Sequence, residues 1–353
     1  MHLFAHRWRE LLTGSWRVRL RAVPRAFWAM ALLGPLTFYA GWPWLWENPL
    51  GRFVGYAKFH LGHVYYNMEF LGETYWKPPM PRGYAPVMTL ATVPLITLVL
   101  FGLGIWTSFG TAVGRFLGRL MKPAEPRREP EISAINPTVK SAASLWLSSA
   151  FVSYAPWLST DTPIFGGTKH WLTAYPFVAL LAGLGFQSLS GGLLSKFALR
   201  PSWQRLTAKA LLVASVIAAP LSMTIHSHPW GLSAYTPLVG GAAGAATLGL
   251  NRTFWGYTTG AVADFINEQA KPKARVFIHD TAQQSWRMMQ TDGTLRADLR
   301  GELSVQDTDL ALYHHEPHMS RVEHMIWTDY GTVRPAKMGV FDGVPVIWVY
   351  ERP

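Results

Sequence analysis

The sequence predicts a polytopic α-helical membrane bundle of about five spans, N-terminus inside and C-terminus outside, followed by a small extracytoplasmic α/β domain. Three observations predict it. Five apolar stretches each approach the ~20 residues a helix needs to cross ~30 Å of hydrocarbon. Lysine and arginine crowd into alternate connections. From Ala274 onward the pattern changes to short strands and turns.

Taken in order, residues 1–26 place Phe4, Trp8, Leu11, Leu12 and Trp16 near one helical face, with Arg7, Arg9, Arg17 and Arg19 around it. That is the pattern of a basic helix lying on an anionic leaflet. The membrane domain is expected over 27–225, with spans at 27–46, 85–109, 141–158, 171–189 and 208–225. Each span holds a proline (Pro35, Pro94, Pro156, Pro176, Pro220), which kinks a helix but is tolerated where neighbouring helices satisfy the freed carbonyls. Within the outer loop 47–83, the aromatic segment 51–66 is too short and polar to span and is expected to lie flat on the outer surface. The first apolar run starts near Phe27, so the first helix is expected to serve as its own insertion signal.

Charge sets the orientation. The N-terminal tail, the second-to-third connection and the fourth-to-fifth connection hold 16 basic and 4 acidic residues, against 16 and 17 in the remainder. The basic side is cytoplasmic. The net charge of +11 therefore reads as an attraction to the inner leaflet and not to nucleic acid. The mean hydropathy of +0.10 is low for such a protein because the polar C-terminal third dilutes it. With no cysteine, disulfides, thiolate metal sites and a cysteine nucleophile are excluded. Residues 226–273 form a linker with a connecting helix over 257–269. Residues 274–353 form the α/β domain, with strands at 276–278, 309–313, 333–340 and 344–350, helices at 282–290 and 318–330, and a turn at Asp342-Gly343.

Several residues could carry chemistry. Lys169 and His170 stand beside Gly166 and Gly167 at the mouth of the fourth span, and a cation pair at headgroup depth suits a lipid-linked phosphate. In the outer loop, Glu69 and Glu73 are four apart and share a face if helical, with His60 and His63 nearby; Asp161 follows the third span. A general base must reach an acceptor hydroxyl, which makes Glu69 and Asp161 catalytic candidates and His60, His63 and Glu73 substrate contacts. Gly240, Gly241 and Gly244 invite a phosphate-loop reading, but no strand precedes them, so a glycine-rich turn is expected. The run His314-His315-Glu316-Pro317-His318 lacks a partner cluster in sequence, His226 and His228 being the other dense pair. No metal ligand is therefore assigned, no cofactor is called for, and a divalent metal is left open. Asp280 is expected to cap the following helix.

The segments FGGTKHWLTAYPFVALLAGLGF, WPWLWENPLGRFVGYAKFHLGHVYYNMEFLGETYWKPP and HSHPWGLSAYTPLVGGAAGAATLGLNRTFWGY resemble bacterial relatives of the dolichyl-phosphate-mannose protein mannosyltransferases and aminoarabinose transferases, multi-span enzymes of the C-type glycosyltransferase fold. The resemblance covers the C-terminal half of such an enzyme. It implies transfer of a sugar from a polyprenyl-phosphate donor to an acceptor on the outer face of a bacterial inner membrane, with Lys169 and His170 matching the family's Lys/His element near the donor phosphate. It also implies an acidic base in an earlier outer loop, a region that this chain is expected to lack. The expected partners are then the lipid bilayer, the polyprenyl-phosphate sugar and a separate N-terminal catalytic half. The alternative is a non-catalytic accessory subunit that binds lipid-linked sugar or a catalytic partner. A transporter would need buried charges within the spans or an internal repeat; the spans hold no charge but Lys209 at the end of the fifth, and no repeat is present.

Overall fold

A computed structural model describes residues 12–23, 25–62, 65–121, 137–164, 166–196 and 202–353. In chain order the N-terminal part contains α1 (Trp16–Ala22), α2 (Arg25–Gly41) and α3 (Pro49–Leu61), then a hairpin of β1 (Met68–Phe70) and β2 (Glu73–Tyr75). There follow α4 (Tyr84–Thr92), α5 (Leu95–Met121), α6 (Pro137–Tyr154), α7 (Tyr175–Ser195) and α8 (Ser202–Ser227). Residues 1–11, including Phe4, Arg7, Trp8 and Arg9, lie outside the described residues.

Helices occupy all five predicted spans, but among the described residues only two segments are long and apolar enough to cross a membrane, Gly167–Ser195 and Trp203–Ser227. A third exists if α4 and α5 count as one span, although they bend by 118° at their junction. The reasons are local. Pro94 follows α4 and breaks the second stretch. Helix α2 stops at Gly41, before the turn at Pro43–Leu45, and its apolar part is only Phe27–Gly41. Helix α6 carries Lys140 and serines 141, 144, 148, 149 and 153, which lower its apolar content, although serines 144, 148 and 153 turn their hydroxyls back onto the carbonyls of Lys140, Ser144 and Ser149.

Helices α5 and α7 meet through glycine. A Cβ on Gly104 would stand 1.9 Å from the Leu181 carbonyl oxygen, and one on Gly185 2.0 Å from that of Leu100. Small residues at a crossing let backbones touch, the usual device between membrane helices. By contrast α8 exposes Leu206, Leu211, Ile217, Leu221 and Ile225, and none of its apolar window is buried. A helix that is apolar all round and uncovered by protein needs an apolar surrounding.

The outer loop differs in part from expectation. The aromatic segment is the helix α3, capped by Asn48, whose side chain accepts from the Gly51 amide at 3.1 Å. Glu69 and Glu73 are not on a helix: they lie on paired strands, with Glu69 opposite Thr74 and Phe70 opposite Glu73. The period-two alternation of strands puts the two carboxylates on opposite faces. The turn residues Leu71 and Gly72 both have positive φ, as a two-residue hairpin of this hand requires. The Gly72 amide donates to the Gly249 carbonyl, just after α9 (Gly241–Thr247). Of the glycines expected to form a turn, Gly240 and Gly241 have positive φ and turn the chain at the start of α9, whereas Gly244 lies within that helix.

The connecting helix is a 3₁₀ turn (Tyr257–Val262) running into α10 (Ala263–Gln269). The C-terminal domain then follows as β3 (Arg275–Phe277), α11 (Gln283–Thr291), β4 (Arg300–Glu302), β5 (Leu310–His314), α12 (Ser320–Tyr330), β6 (Lys337–Phe341) and β7 (Val344–Glu351). The sheet order is β4-β3-β5-β7-β6; β4, β3 and β5 are parallel, and β7 and β6 are antiparallel additions. Asp342 and Gly343, both at positive φ, close the last hairpin. Alternation along β5 divides the core: Leu310 and Leu312 pack with Val276, Ile278 and α10, while Ala311 and Tyr313 pack with Phe277 and the α12 residues Ile326 and Tyr330.

Candidate functional site

Because β3 and β5 are parallel neighbours, their C-terminal ends open on one edge of the sheet, where ligands bind in folds of this kind. From β3 emerges His279; from β5 emerges the run His314 to His318. The β1–β2 hairpin reaches the same edge from the N-terminal part and delivers Glu69. The Glu69 carboxylate accepts from the Thr74 hydroxyl at 2.8 Å and lies 2.9 Å from His318 Nδ1. Its residue is only 2% exposed. The cavity above holds about 450 Å³ and is walled by Phe59, Tyr66, Tyr84, Phe254 and Trp255 on the apolar side and by Glu69, His279, Asp280, Glu316 and His318 on the polar side.

Electrostatics follow from burial. Burial raises the Glu316 carboxyl above its ordinary range, against the charges of His279 and His318. For His318 burial works against the charged ring, but the Glu69 hydrogen bond and the charges of Glu316 and Glu69 outweigh it, so it titrates above an ordinary histidine. His314 is pushed down to about 3, by burial and then by His279. His315 is pushed down to about 4, by burial and then by Arg252. These two rings are neutral at pH 7, whereas Asp280 is held ionised below its usual range, first by its hydrogen bond with His279.

His279, and not Asp280, sits at the head of the turn that leads into α11, a correction to the expected cap. Its Nδ1 has three neighbours: Asp280 Oδ1 at 2.8 Å, Thr281 Oγ1 at 2.8 Å and the Thr281 amide at 3.2 Å. The amide contact would need a bare Nδ1 and the carboxylate contact a protonated one. The shorter carboxylate contact decides, since an ionised carboxylate only accepts. Nε2 then presents a lone pair, 3.7 Å from Glu316 Oε1. Behind the ring, Gly256 at positive φ leaves room that a Cβ would fill, 3.1 Å from both His279 Cβ and His314 Nε2.

The other predicted residues are dispersed. Lys169 Nζ lies 4.5 Å from the centre of the Trp255 ring, which lines the cavity. His170 packs its ring against Trp157 at 4.5 Å, away from the cavity lining. Glu73 points off the opposite face of the hairpin. Asp161 is exposed, its carbonyl accepting from the Tyr65 hydroxyl at 2.6 Å. His60 rests on Tyr56 in α3, while its neighbour Phe59 lines the cavity. His63 lies outside the described residues. Sequence reasoning missed His279 as a site residue and left Glu316 and His318 unassigned. The available signal was a polar pair, His279-Asp280, directly after a buried apolar strand.

No family model, curated protein or solved structure matches this chain.

Proposed function

We propose that this chain acts at a bacterial inner membrane and transfers a sugar from a polyprenyl-phosphate donor to an acceptor on the outer face, with the hairpin and C-terminal domain periplasmic. The observation that carries this reading is the buried Glu69, hydrogen-bonded to His318 on the polar wall of an otherwise aromatic cavity. Glu69 takes the proton of the acceptor hydroxyl as that oxygen attacks the anomeric carbon. The bond from that carbon to the donor phosphate oxygen breaks, and the polyprenyl phosphate leaves with the electron pair. Lys169, held over the Trp255 face, meets the phosphate as negative charge gathers on it. The aromatic wall suits the sugar faces and the first isoprene units, and the exposed apolar helix α8 supports a lipid surrounding, in which such a donor is carried.

The test uses membranes containing the full chain and radiolabelled polyprenyl-phosphate hexoses and pentoses. Transfer is expected with one donor, and Glu69→Gln is expected to lower it by about 10²-fold or more, the usual weight of a general base. Lys169→Ala raises the donor KM. Saturable donor binding without transfer would replace this reading with that of an accessory subunit.

A further inference from the structure

Two buried polar atoms face each other in the polar wall of the cavity. His279 Nε2 and Glu316 Oε1 are 3.7 Å apart, and neither has a hydrogen-bond partner among the described residues. Their residues are 3% and 5% exposed. Buried polar atoms left without partners are costly, and a cation between them satisfies both. Among the described residues, the ion pairs of Glu69 and Glu316 are all with histidines, which leaves their negative charge incompletely balanced.

We propose that His279 Nε2, the Glu316 carboxylate and a ring nitrogen of His318 bind a first-row divalent cation, zinc in the first instance, in the wall of the cavity. The three ligand atoms lie within 4.8 Å of one another. A tetrahedral zinc with bonds of ~2.0–2.2 Å spaces its ligands by roughly 3.3–3.6 Å. The separation of 3.7 Å between His279 Nε2 and Glu316 Oε1 needs only a small inward shift. Nitrogen and oxygen donors in a two-histidine, one-carboxylate set select zinc and its neighbours over magnesium and calcium. Each histidine is also held through its Nδ1: Asp280 Oδ1 lies 2.8 Å from that atom of His279 and Glu69 Oε1 2.9 Å from that atom of His318, so Nε2 is the nitrogen each ring offers the cation. Such carboxylate–histidine pairs are the normal outer shell of a metal ligand. His314 belongs to the fold and not to this set, since its Nε2 turns to the Thr259 hydroxyl. Three protein ligands beside a cavity leave a coordination position for a phosphate oxygen or water. The inference stands on the ligand geometry and is independent of sugar transfer.

The experiment is metal binding by the purified, tag-free full chain in detergent, stripped with chelator and titrated with Zn²⁺ against a chromophoric competitor, with Co²⁺ absorption as the report on geometry. Wild type is expected to take about one ion per chain with micromolar or tighter affinity. It should also give the intense visible bands of tetrahedral cobalt. Glu316→Gln and His279→Ala are expected to abolish both. Asp280→Asn alters a solvent-facing side chain, 76% exposed, so it leaves the fold in place; it should weaken zinc by about 10–100-fold. His324→Ala, outside the cluster, should change nothing. Absence of stoichiometric binding by folded wild type, or an Asp280→Asn protein that binds as wild type does, overturns the proposal. Neither readout involves a sugar donor, so sugar transfer can fail while the metal site stands, and the reverse.

Discussion

The Trp255 indole lies against Gly166 so closely that a β-carbon on the glycine would come within 2.0 Å of the ring. Both residues have positive φ, and the ring also carries Lys169 on its face. Gly166→Ala must push the indole away and with it the cation–π contact, worth ~0.5–2 kcal/mol. The expected result is a donor KM raised by about tenfold and a shifted tryptophan emission, with little change in turnover. Unchanged emission would show that Trp255 does not move.

The α5–α7 crossing gives a paired test. Gly185→Ala drives a methyl into the Leu100 carbonyl, whereas a Cβ at Gly183 meets nothing within 4 Å. Overpacking costs about 1–3 kcal/mol. Gly185→Ala should therefore lower the thermal midpoint in detergent and Gly183→Ala should not. Equal midpoints for the two variants would mean the helices do not cross there.

A charge on α8 tests its surroundings. Ile217 is 52% exposed in the middle of that helix, and arginine at the centre of a spanning helix costs ~2.5–3.5 kcal/mol for insertion. Ile217→Arg is expected to move part of the protein into the alkaline-extractable fraction, while Ile217→Leu stays with the membrane pellet. If both variants pellet alike, α8 is not lipid-facing at that depth.

Acid stability of the C-terminal domain should depend on Asp298. Its carboxyl is held well below the ordinary range, first by Arg296 and next by the Lys273 amide. A depressed folded pKa stabilises above the unfolded value of about 3.9 and is lost as pH falls from there through the folded pKa. Asp298→Asn should therefore melt earlier than wild type at pH 7, and the gap should narrow steadily below pH ~4. A gap independent of pH would assign the effect to the shape of the side chain and not to its charge.

The strands of the C-terminal domain were legible because they are short apolar runs with turn residues at their ends; the Asp342-Gly343 hairpin is where residue chemistry dictates backbone hand. Strand β4 escaped because Arg300-Gly301-Glu302 has no apolar signal: it pairs on one edge only and Gly301 lies against Ile278 and Trp286. The apolar stretches located helices correctly, but length alone does not show where Pro94 bends one or where serines dilute another. The site was half legible. Glu69 and Lys169 stood out by charge beside apolar surface. The partnership of His279 with Glu316 and His318 depends on parallel strand adjacency, which places residues distant in sequence together and leaves no spacing to read. The helical pairing of Glu69 with Glu73 failed because Leu71 and Gly72 adopt positive φ and turn the chain back on itself.

The bond between Glu69 and His318 spans 249 positions of sequence and acts as a parity condition on everything between. Two groups that share one water-facing cavity stand on one side of a membrane, so the intervening chain crosses it an even number of times or not at all. If α7 and α8 each cross, the bent α4–α5 pair contributes a crossing only when α6 contributes one as well. The three-span count that apolar length permits is therefore the one that this hydrogen bond forbids: any crossings between the hairpin and the C-terminal domain come in pairs.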